Sequence, residues 1–507
     1  MAAEWRLKRG APTGLRAALA GLAALGVLSA CETAPPSAPS VGEPQRPVIG
    51  APPEPVTRPV PIPPPAYTPA HMSGLDDIVR VGLLLPFSAS SPAARAEAAQ
   101  ILRAAELSLF TRGDERVLLL PRDTAGTRAG AADAAAGLAE DGVDLIFGPL
   151  LSGAVAGASG PARRANIPVI AFSTDPDRAG DGVYLLSFPP SEEVRRITEY
   201  ARQRGAERFA FVGPDSAYGR AVAAAYQDNV ERLTEGLEPR IVEIEAPEPE
   251  DAPEPVAADP FAPIEPVEPE RIEVEVIPGL REPVFYTGSV ASMTQAARTL
   301  AALGVRPADP EDARALSLRS WEPSLGDPFQ VLMLPEGGDQ LRTLAPVMIF
   351  ADIDPLIVKF VGTSLWRDAD VAREPALAGG WFAGPDPETR APFERAFEAA
   401  YGAPPSRLAG LGYDAVSLAA AVAAAPGEPP RSVIENPDGF SGVDGLFRFR
   451  EDGTLERGLA VYTIRRSGFA TLEPAPTRFE EPDDASALSE LIRDHGGDEA
   501  EPSDRES

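Results

Sequence analysis

The chain has 507 residues, of which 44% are hydrophobic, and its 46 Lys and Arg against 76 Asp and Glu give a net charge of −30 at pH 7. This length and hydrophobic content suffice for two or more folded domains. The acidic charge argues against nucleic acid as a partner, because a negatively charged surface repels phosphate groups. A single cysteine excludes disulfides within the chain and zinc sites built from thiolates.

The N-terminal segment has the layout of a secretory signal, with a basic stretch followed by a short apolar run from Ala17 to Leu28. The run ends in Leu28-Ser29-Ala30-Cys31, which resembles the bacterial lipobox. The resemblance implies that residues 1–30 are removed and that Cys31 becomes the lipidated first residue of the mature protein. An ordinary signal peptide with an incidental cysteine is the alternative, and the apolar run is too short for a transmembrane helix. Glu32 stands where Asp would signal inner-membrane retention, so we expect an outer-membrane anchor.

Three segments are predicted to be disordered. Residues 31–77 include fourteen prolines between Pro35 and Pro69, a composition typical of an extended tether. Residues 246–270 carry eight prolines among many Asp and Glu, without Lys or Arg, and residues 477–507 form an acidic tail. The tether would hold a folded body away from the membrane.

Apolar runs bounded by Pro or Gly alternate with amphipathic segments after residue 77. The first set is predicted as strand Val79–Pro86, helix Ala93–Phe110, strand Arg116–Leu120, helix Ala129–Asp141, strand Val143–Gly148, helix Gly153–Ala165 and strand Pro168–Phe172. The second set is predicted as strand Arg208–Val212, helix Gly219–Thr234, strand Arg240–Glu245, helix Ser289–Leu303, and strands Phe329–Leu334 and Leu356–Val361. A final helix is predicted at Arg407–Ala425. Such alternation indicates βαβ units and a parallel sheet in each of two α/β lobes. Residues 445–472 are predicted as antiparallel strands with a turn at Glu451-Asp452-Gly453.

Catalytic and metal-binding patterns are scarce. The two histidines, His71 and His495, lie in the predicted tether and tail, so a Ser-His-Asp triad or a His-based metal site has no histidine in the folded body. The chain lacks a phosphate-binding Walker sequence and a dinucleotide-binding glycine pattern. A pair of carboxylates for glycoside hydrolysis remains open as an enzymatic alternative. We therefore predict a protein that is not an enzyme and uses no cofactor and no metal.

Hydroxyl side chains follow two consecutive strands of the first set. Ser152 lies in the loop that opens a helix after the strand ending at Gly148, and Ser173 and Thr174 follow the strand ending at Phe172. Because parallel sheets bind ligands at the carboxyl ends of their strands, these residues predict a cleft that receives a carboxylate or another anion. The alternative is that the three residues are helix caps.

Four motifs resemble type I periplasmic binding proteins of the branched-chain amino acid class: Val81–Pro86, Asp144–Pro149, Asn166–Ala171 and Asp215–Gly219. The resemblance implies an α/β fold of two lobes joined by three crossovers, with a ligand cleft between the lobes. It assigns the lobes as residues 78–190 plus 386–440 and residues 191–385 plus 441–476.

The same resemblance implies roles for individual cleft residues. Ser152, Ser173 and Thr174 would hold a ligand carboxylate, and Tyr218 would line the opposite wall. That class usually has an acidic residue for the ligand's amino group where this chain has Ser364. An ammonium without a counter-charge in a desolvated cleft is costly, so we expect that amino acid capture is not the function.

A closer resemblance is to the lipoproteins known as penicillin-binding protein activators, on the motifs Gly362–Trp366, Glu374–Leu377, Gly380–Pro385 and Gly412–Val416. It implies a non-enzymatic regulator that contacts a peptidoglycan synthase from the periplasm. The alternative is a solute-binding receptor of an ABC importer for amino acids or related small molecules. We assign Ser364 and Trp366 to the cleft, with a core position as the alternative for Trp366, and we place Trp381 in the core.

Overall fold

Two β-sheets organise the chain, and most of their strands are the apolar runs that the sequence predicts. The computed structural model describes residues 68–112, 115–245, 271–305 and 320–479. Each sheet is covered by helices on both faces, which confirms the predicted α/β class.

The first lobe contains a sheet of five parallel strands in the order β2-β1-β3-β4-β5. Its strands are β1 (Val79–Leu85), β2 (Val117–Asp123), β3 (Leu145–Phe147), β4 (Val169–Ala171) and β5 (Val183–Leu185). Its helices are α1 (Pro92–Arg112), α2 (Arg128–Glu140), α3 (Ser152–Arg164), α8 (Pro387–Tyr401), α9 (Ala409–Ala423) and α10 (Pro430–Ile434). Helices α1 and α9 pack on one face of the sheet, and α2 and α3 pack on the other.

The second lobe contains an eight-stranded sheet with the main order β10-β6-β11-β12-β13-β17-β18 and with β9 beside β6. Its strands are β6 (Arg208–Pro214), β9 (Gly279–Leu280), β10 (Val284–Tyr286), β11 (Val331–Met333), β12 (Lys359–Gly362), β13 (Trp381–Gly384), β17 (Ala460–Arg465) and β18 (Gly468–Glu473). Its helices are α4 (Pro190–Gln203), α5 (Ala217–Thr234), α6 (Val290–Ala301) and α7 (Gly338–Phe350). The first six strands of this sheet are parallel to one another, namely β6, β9, β10, β11, β12 and β13, and β17 and β18 add an antiparallel edge.

Three short antiparallel strands correct the predicted lobe boundary at residue 440. They are β14 (Phe440–Gly442), β15 (Gly445–Phe449) and β16 (Leu455–Arg457). Phe447, Phe449 and Leu455 belong to the hydrophobic core of the first lobe. Assigning residues 441–457 to the second lobe is therefore wrong, because the alternating apolar side chains of β15 and β16 face the first lobe.

The chain crosses between the lobes three times, as the resemblance implies. The crossings lie between β5 and α4, between β13 and α8, and between β16 and β17. The carboxyl ends of β3, β4 and β12 meet the space between the lobes, so loops from both sheets line one cleft.

The sequence analysis did not predict four of the described helices, α4, α7, α8 and α10, and two of these contain an internal proline. Helix α7 includes Pro346 and helix α8 includes Pro392, and proline inside an apolar pattern normally indicates a helix end. The sequence analysis also missed the pairing of β7 (Arg240–Glu245) with β8 (Arg271–Val276) in a two-stranded antiparallel ribbon.

Several predictions fall on residues outside the described ranges, namely the signal peptide, Cys31, most of the tether, the 246–270 insertion and the tail from residue 480. The end of the predicted tether is an exception. Met72 is 3% exposed, and Thr68 accepts a hydrogen bond of 3.2 Å from Arg80, so this end packs on the folded body. Among the described residues, no helix combines the length and the apolar character that crossing a bilayer requires.

Candidate ligand cleft

The cleft between the lobes has a volume of about 600 Å³, and five of the predicted site residues line it. They are Ser152, Ser173, Thr174, Tyr218 and Ser364. The first three come from the ends of β3 and β4, which are neighbours in the sheet. Leu151, not Ser152, occupies the N-cap of α3, so the Ser152 side chain is not a helix cap.

An aspartate that the sequence analysis did not select occupies the first-lobe corner of the cleft. The Ser152 hydroxyl donates a hydrogen bond to the Asp175 carboxylate, and Arg178 donates to the same oxygen at 3.1 Å. The backbone N–H of Asp175 donates to the Ser173 hydroxyl at 3.2 Å. The Ser152 hydrogen bond is the main cause that lowers the pKa of Asp175 below its ordinary value, so this carboxylate is ionised at neutral pH.

A glutamate, Glu193, occupies the second-lobe corner of the cleft beside Ser364. The expectation that this corner lacks a carboxylate for an ammonium group is therefore wrong, because another segment of the chain supplies one. Ser364 follows β12, and its backbone N–H and its hydroxyl donate to Glu193 at 2.9 and 2.6 Å. Glu193 lies in the first turn of α4 and is 7% exposed. Burial raises the pKa of its carboxyl above the ordinary value, and the two hydrogen bonds from Ser364 act in the opposite direction.

An arginine from the first lobe reaches this second-lobe corner. The Arg407 guanidinium lies 3.6 Å from Glu193 and donates to the Ser364 hydroxyl at 3.2 Å. Arg407 precedes α9, whereas Glu193 and Ser364 belong to the second lobe, so the contact bridges the cleft.

Tyr218 stands at the start of α5 and shares a hydrogen bond of 3.2 Å with Thr363. Burial is the main cause that raises the pKa of its phenol to about 12. The hydroxyl therefore stays protonated at neutral pH and can donate a hydrogen bond or accept one, but it does not act as a base.

The assignment of Trp366 to the cleft is wrong. Trp366 is fully buried in the second-lobe core, where its indole N–H donates to the Leu334 carbonyl at 3.1 Å. A Cβ added at Gly362 would lie 2.1 Å from the indole nitrogen, and one at Gly380 would lie 2.7 Å from the ring. Two of the motifs that resemble the activator group are thus explained in part by the packing of one tryptophan.

Trp381 lies in the core, as predicted. It is 6% exposed, and it contacts Tyr200 and Trp321 edge-on at centroid distances of 5.1 and 5.3 Å. The Lys359 ammonium lies 5.0 Å from the Trp381 ring centroid.

The sequence analysis missed Asp175, Glu193 and Arg407. Asp175 directly follows Thr174 in a segment that was already assigned to the cleft, so its acidic side chain could have been found there. Glu193 lies in the first turn of α4, a helix that the sequence analysis did not predict. The sequence of this turn, Pro190-Ser-Glu-Glu, is typical of an exposed helix start. In the described residues, no group of three or more His, Cys, Asp and Glu side chains is arranged to hold a metal ion.

Comparison with known proteins identifies the class of fold. A family model described as periplasmic binding protein matches residues 78–259. No sequence among the curated proteins matches the chain.

Two solved structures share the two-lobed fold. A crystal structure assigned to a branched-chain amino acid ABC transporter of Rhodospirillum rubrum is 16% identical, with a TM-score of 0.56, and the match covers 78% of this chain and 100% of that chain. The C-domain of LpoA (YraM) from Haemophilus influenzae, a regulator of PBP1A, is 14% identical, with a TM-score of 0.51, and the match covers 78% and 99%. These structural similarities, together with the family model, show a type I periplasmic binding protein fold. The matched proteins are binding proteins or regulators and not enzymes, in agreement with the predicted class.

Proposed function

We propose that this protein is a non-enzymatic lipoprotein that regulates a peptidoglycan synthase, a penicillin-binding protein, from the periplasmic face of the outer membrane. Cys31 would carry the lipid, and the proline-rich segment would carry the two-lobed body toward its partner. The motifs shared with the activator group support the partner class, and the fold shared with the LpoA C-domain is compatible with it.

One observation carries the proposal: at both polar corners of the cleft, the groups that would bind an amino acid already form hydrogen bonds or ion pairs with other side chains of this protein. An amino acid would need its carboxylate near Ser152 and Ser173, where the Asp175 carboxylate already accepts the Ser152 hydrogen bond. It would need its ammonium near Glu193, where Ser364 and the Arg407 guanidinium are already in place.

An entering amino acid would therefore have to displace two internal partners. Its carboxylate would also meet the ionised Asp175, and like charges at close range in a partly desolvated site repel strongly. A receptor that captures and releases solutes keeps such donors available for its ligand. This arrangement favours a body that acts through protein contacts.

Isothermal titration calorimetry against a panel of amino acids tests the proposal. We expect no heat of binding for leucine or its relatives with the native protein. Micromolar binding of leucine that is lost in Ser152→Ala would overturn the proposal and restore the importer receptor. The double variant Asp175→Ser with Arg407→Ser removes both internal partners, and we expect it to gain measurable leucine binding.

A further inference from the structure

A second cavity, of about 240 Å³, lies in the first lobe between α8, α9 and β14. It shares no lining residue with the cleft between the lobes. Asp414 of α9 lines it, together with the Phe393 and Tyr413 rings, which meet edge-on at a centroid distance of 5.4 Å.

Asp414 has an unusual environment for a carboxylate. The residue is 1% exposed, and its Oδ1 accepts a hydrogen bond of 2.7 Å from the Val443 backbone N–H. Its Oδ2 has no hydrogen-bond partner in the part of the chain that the structure describes. Leaving a buried carboxylate oxygen without a partner costs free energy on the order of several kcal/mol, and a bound cationic group would offset this cost.

The rest of the lining indicates the chemistry of that group. Pro392, Phe393 and Ala396 supply an apolar wall on α8, so the lining suits a group with an apolar part beside the carboxylate. The volume exceeds that of a cavity of about 150 Å³ that accommodates benzene. We propose that this cavity binds a primary ammonium group on a short apolar stem, with the Asp414 carboxylate as its counter-ion.

The charges that surround Asp414 give the site a pH signature. Burial is the main cause that raises the pKa of Asp414 to about 7, and Asp444 contributes in the same direction. Asp444 is itself paired with Arg390 of α8 at 2.8 Å, and the positive charges of Arg457 and Arg390 act on the pKa of Asp414 in the opposite direction. A bound ammonium favours the ionised carboxylate, so its affinity rises as the pH rises through about 7.

The test measures the thermal unfolding midpoint of the native protein with n-butylammonium chloride, against n-butanol as the neutral control. We expect a concentration-dependent rise for the cation only. Because the Asp414 carboxyl becomes ionised as the pH rises through its raised pKa, the apparent affinity should be at least several-fold higher at pH 8 than at pH 5.5.

Asp414→Asn should abolish the cation's effect at both pH values, and the exposed-carboxylate variant Asp133→Asn should retain it. If Asp414→Asn does not fold, the pH dependence and the butanol control in the native protein still decide the matter. Equal responses to butylammonium and butanol, or no response at pH 8, would overturn the proposal and leave a buried water as the occupant of the site.

Discussion

Replacing Trp366 with alanine should destabilise the second lobe severely. The side chain is fully buried, and truncation of a buried tryptophan to alanine costs about 3–5 kcal/mol. The Leu334 carbonyl also loses its indole donor but keeps a hydrogen bond of 2.9 Å from the Glu336 backbone N–H, so this loss adds at most about 1 kcal/mol. We therefore expect a loss of about 3–6 kcal/mol in the free energy of unfolding. Trp366→Phe, which keeps a ring but loses the N–H, should cost about 1–3 kcal/mol.

Urea unfolding followed by far-ultraviolet circular dichroism measures this loss. Leu365→Ala is the matched control, because Leu365 is the neighbouring residue and lines the cleft. A half-buried leucine of the cleft wall should cost about 1 kcal/mol or less. If Trp366→Ala lies within about 1 kcal/mol of the native protein, the tryptophan does not hold the core together and our account of the two glycine contacts is wrong.

Three further predictions concern the anchor and the cleft. Cys31→Ser should move the protein from the membrane fraction to the soluble periplasmic fraction, and an unmodified mature N-terminus by intact mass in the native protein would contradict the anchor. Arg407→Ala should shift the lobes toward a wider separation in a distance measurement between labels on each lobe. Because Arg407 is half exposed, its contact with Glu193 is worth about 0.2–1 kcal/mol, so the population ratio should change by about 1.4-fold to 5-fold, and an unchanged distance distribution would count against the bridge. The pKa of Asp175 is lowered in the folded state, so its interaction with Ser152 stabilises the protein at neutral pH and is lost as the pH falls through that lowered value. Asp175→Asn should therefore remove this part of the acid dependence of the thermal unfolding midpoint. An acid profile that is the same in the variant and in the native protein would refute this prediction.

The parallel sheets could be predicted because local signals coincide with tertiary roles. The apolar run from Val79 ends at a proline, and the strand observed there is buried over nearly its whole length. Ser152 and Ser173 could be placed together because consecutive strands of a parallel sheet end at one edge. The position of each hydroxyl follows from chain order alone, whereas its hydrogen-bond partner does not.

The parts that sequence did not predict depend on contacts between distant segments. Glu193 has the local pattern of an exposed helix start, yet 171 residues separate it from Ser364, which donates to it. Trp366 lies two residues after Ser364, which lines the cleft, so its position in the chain suggests a place in the cleft wall. Its ring instead enters the core, because the absence of side chains at Gly362 and Gly380 leaves space for it there. The predicted lobe boundary at residue 440 was wrong because short antiparallel strands can extend either lobe. Only the packing of their side chains against one hydrophobic core or the other decides to which lobe they belong.

The rate of glycan polymerisation by a class A penicillin-binding protein of the same bacterium tests the proposed function most directly. The assay compares the synthase alone with the synthase plus the mature lipidated protein in detergent micelles, and heat-denatured protein serves as the control. Our account predicts a several-fold higher rate with the folded protein and no change when leucine is added. An unchanged polymerisation rate, together with micromolar leucine binding by the same preparation, would contradict it.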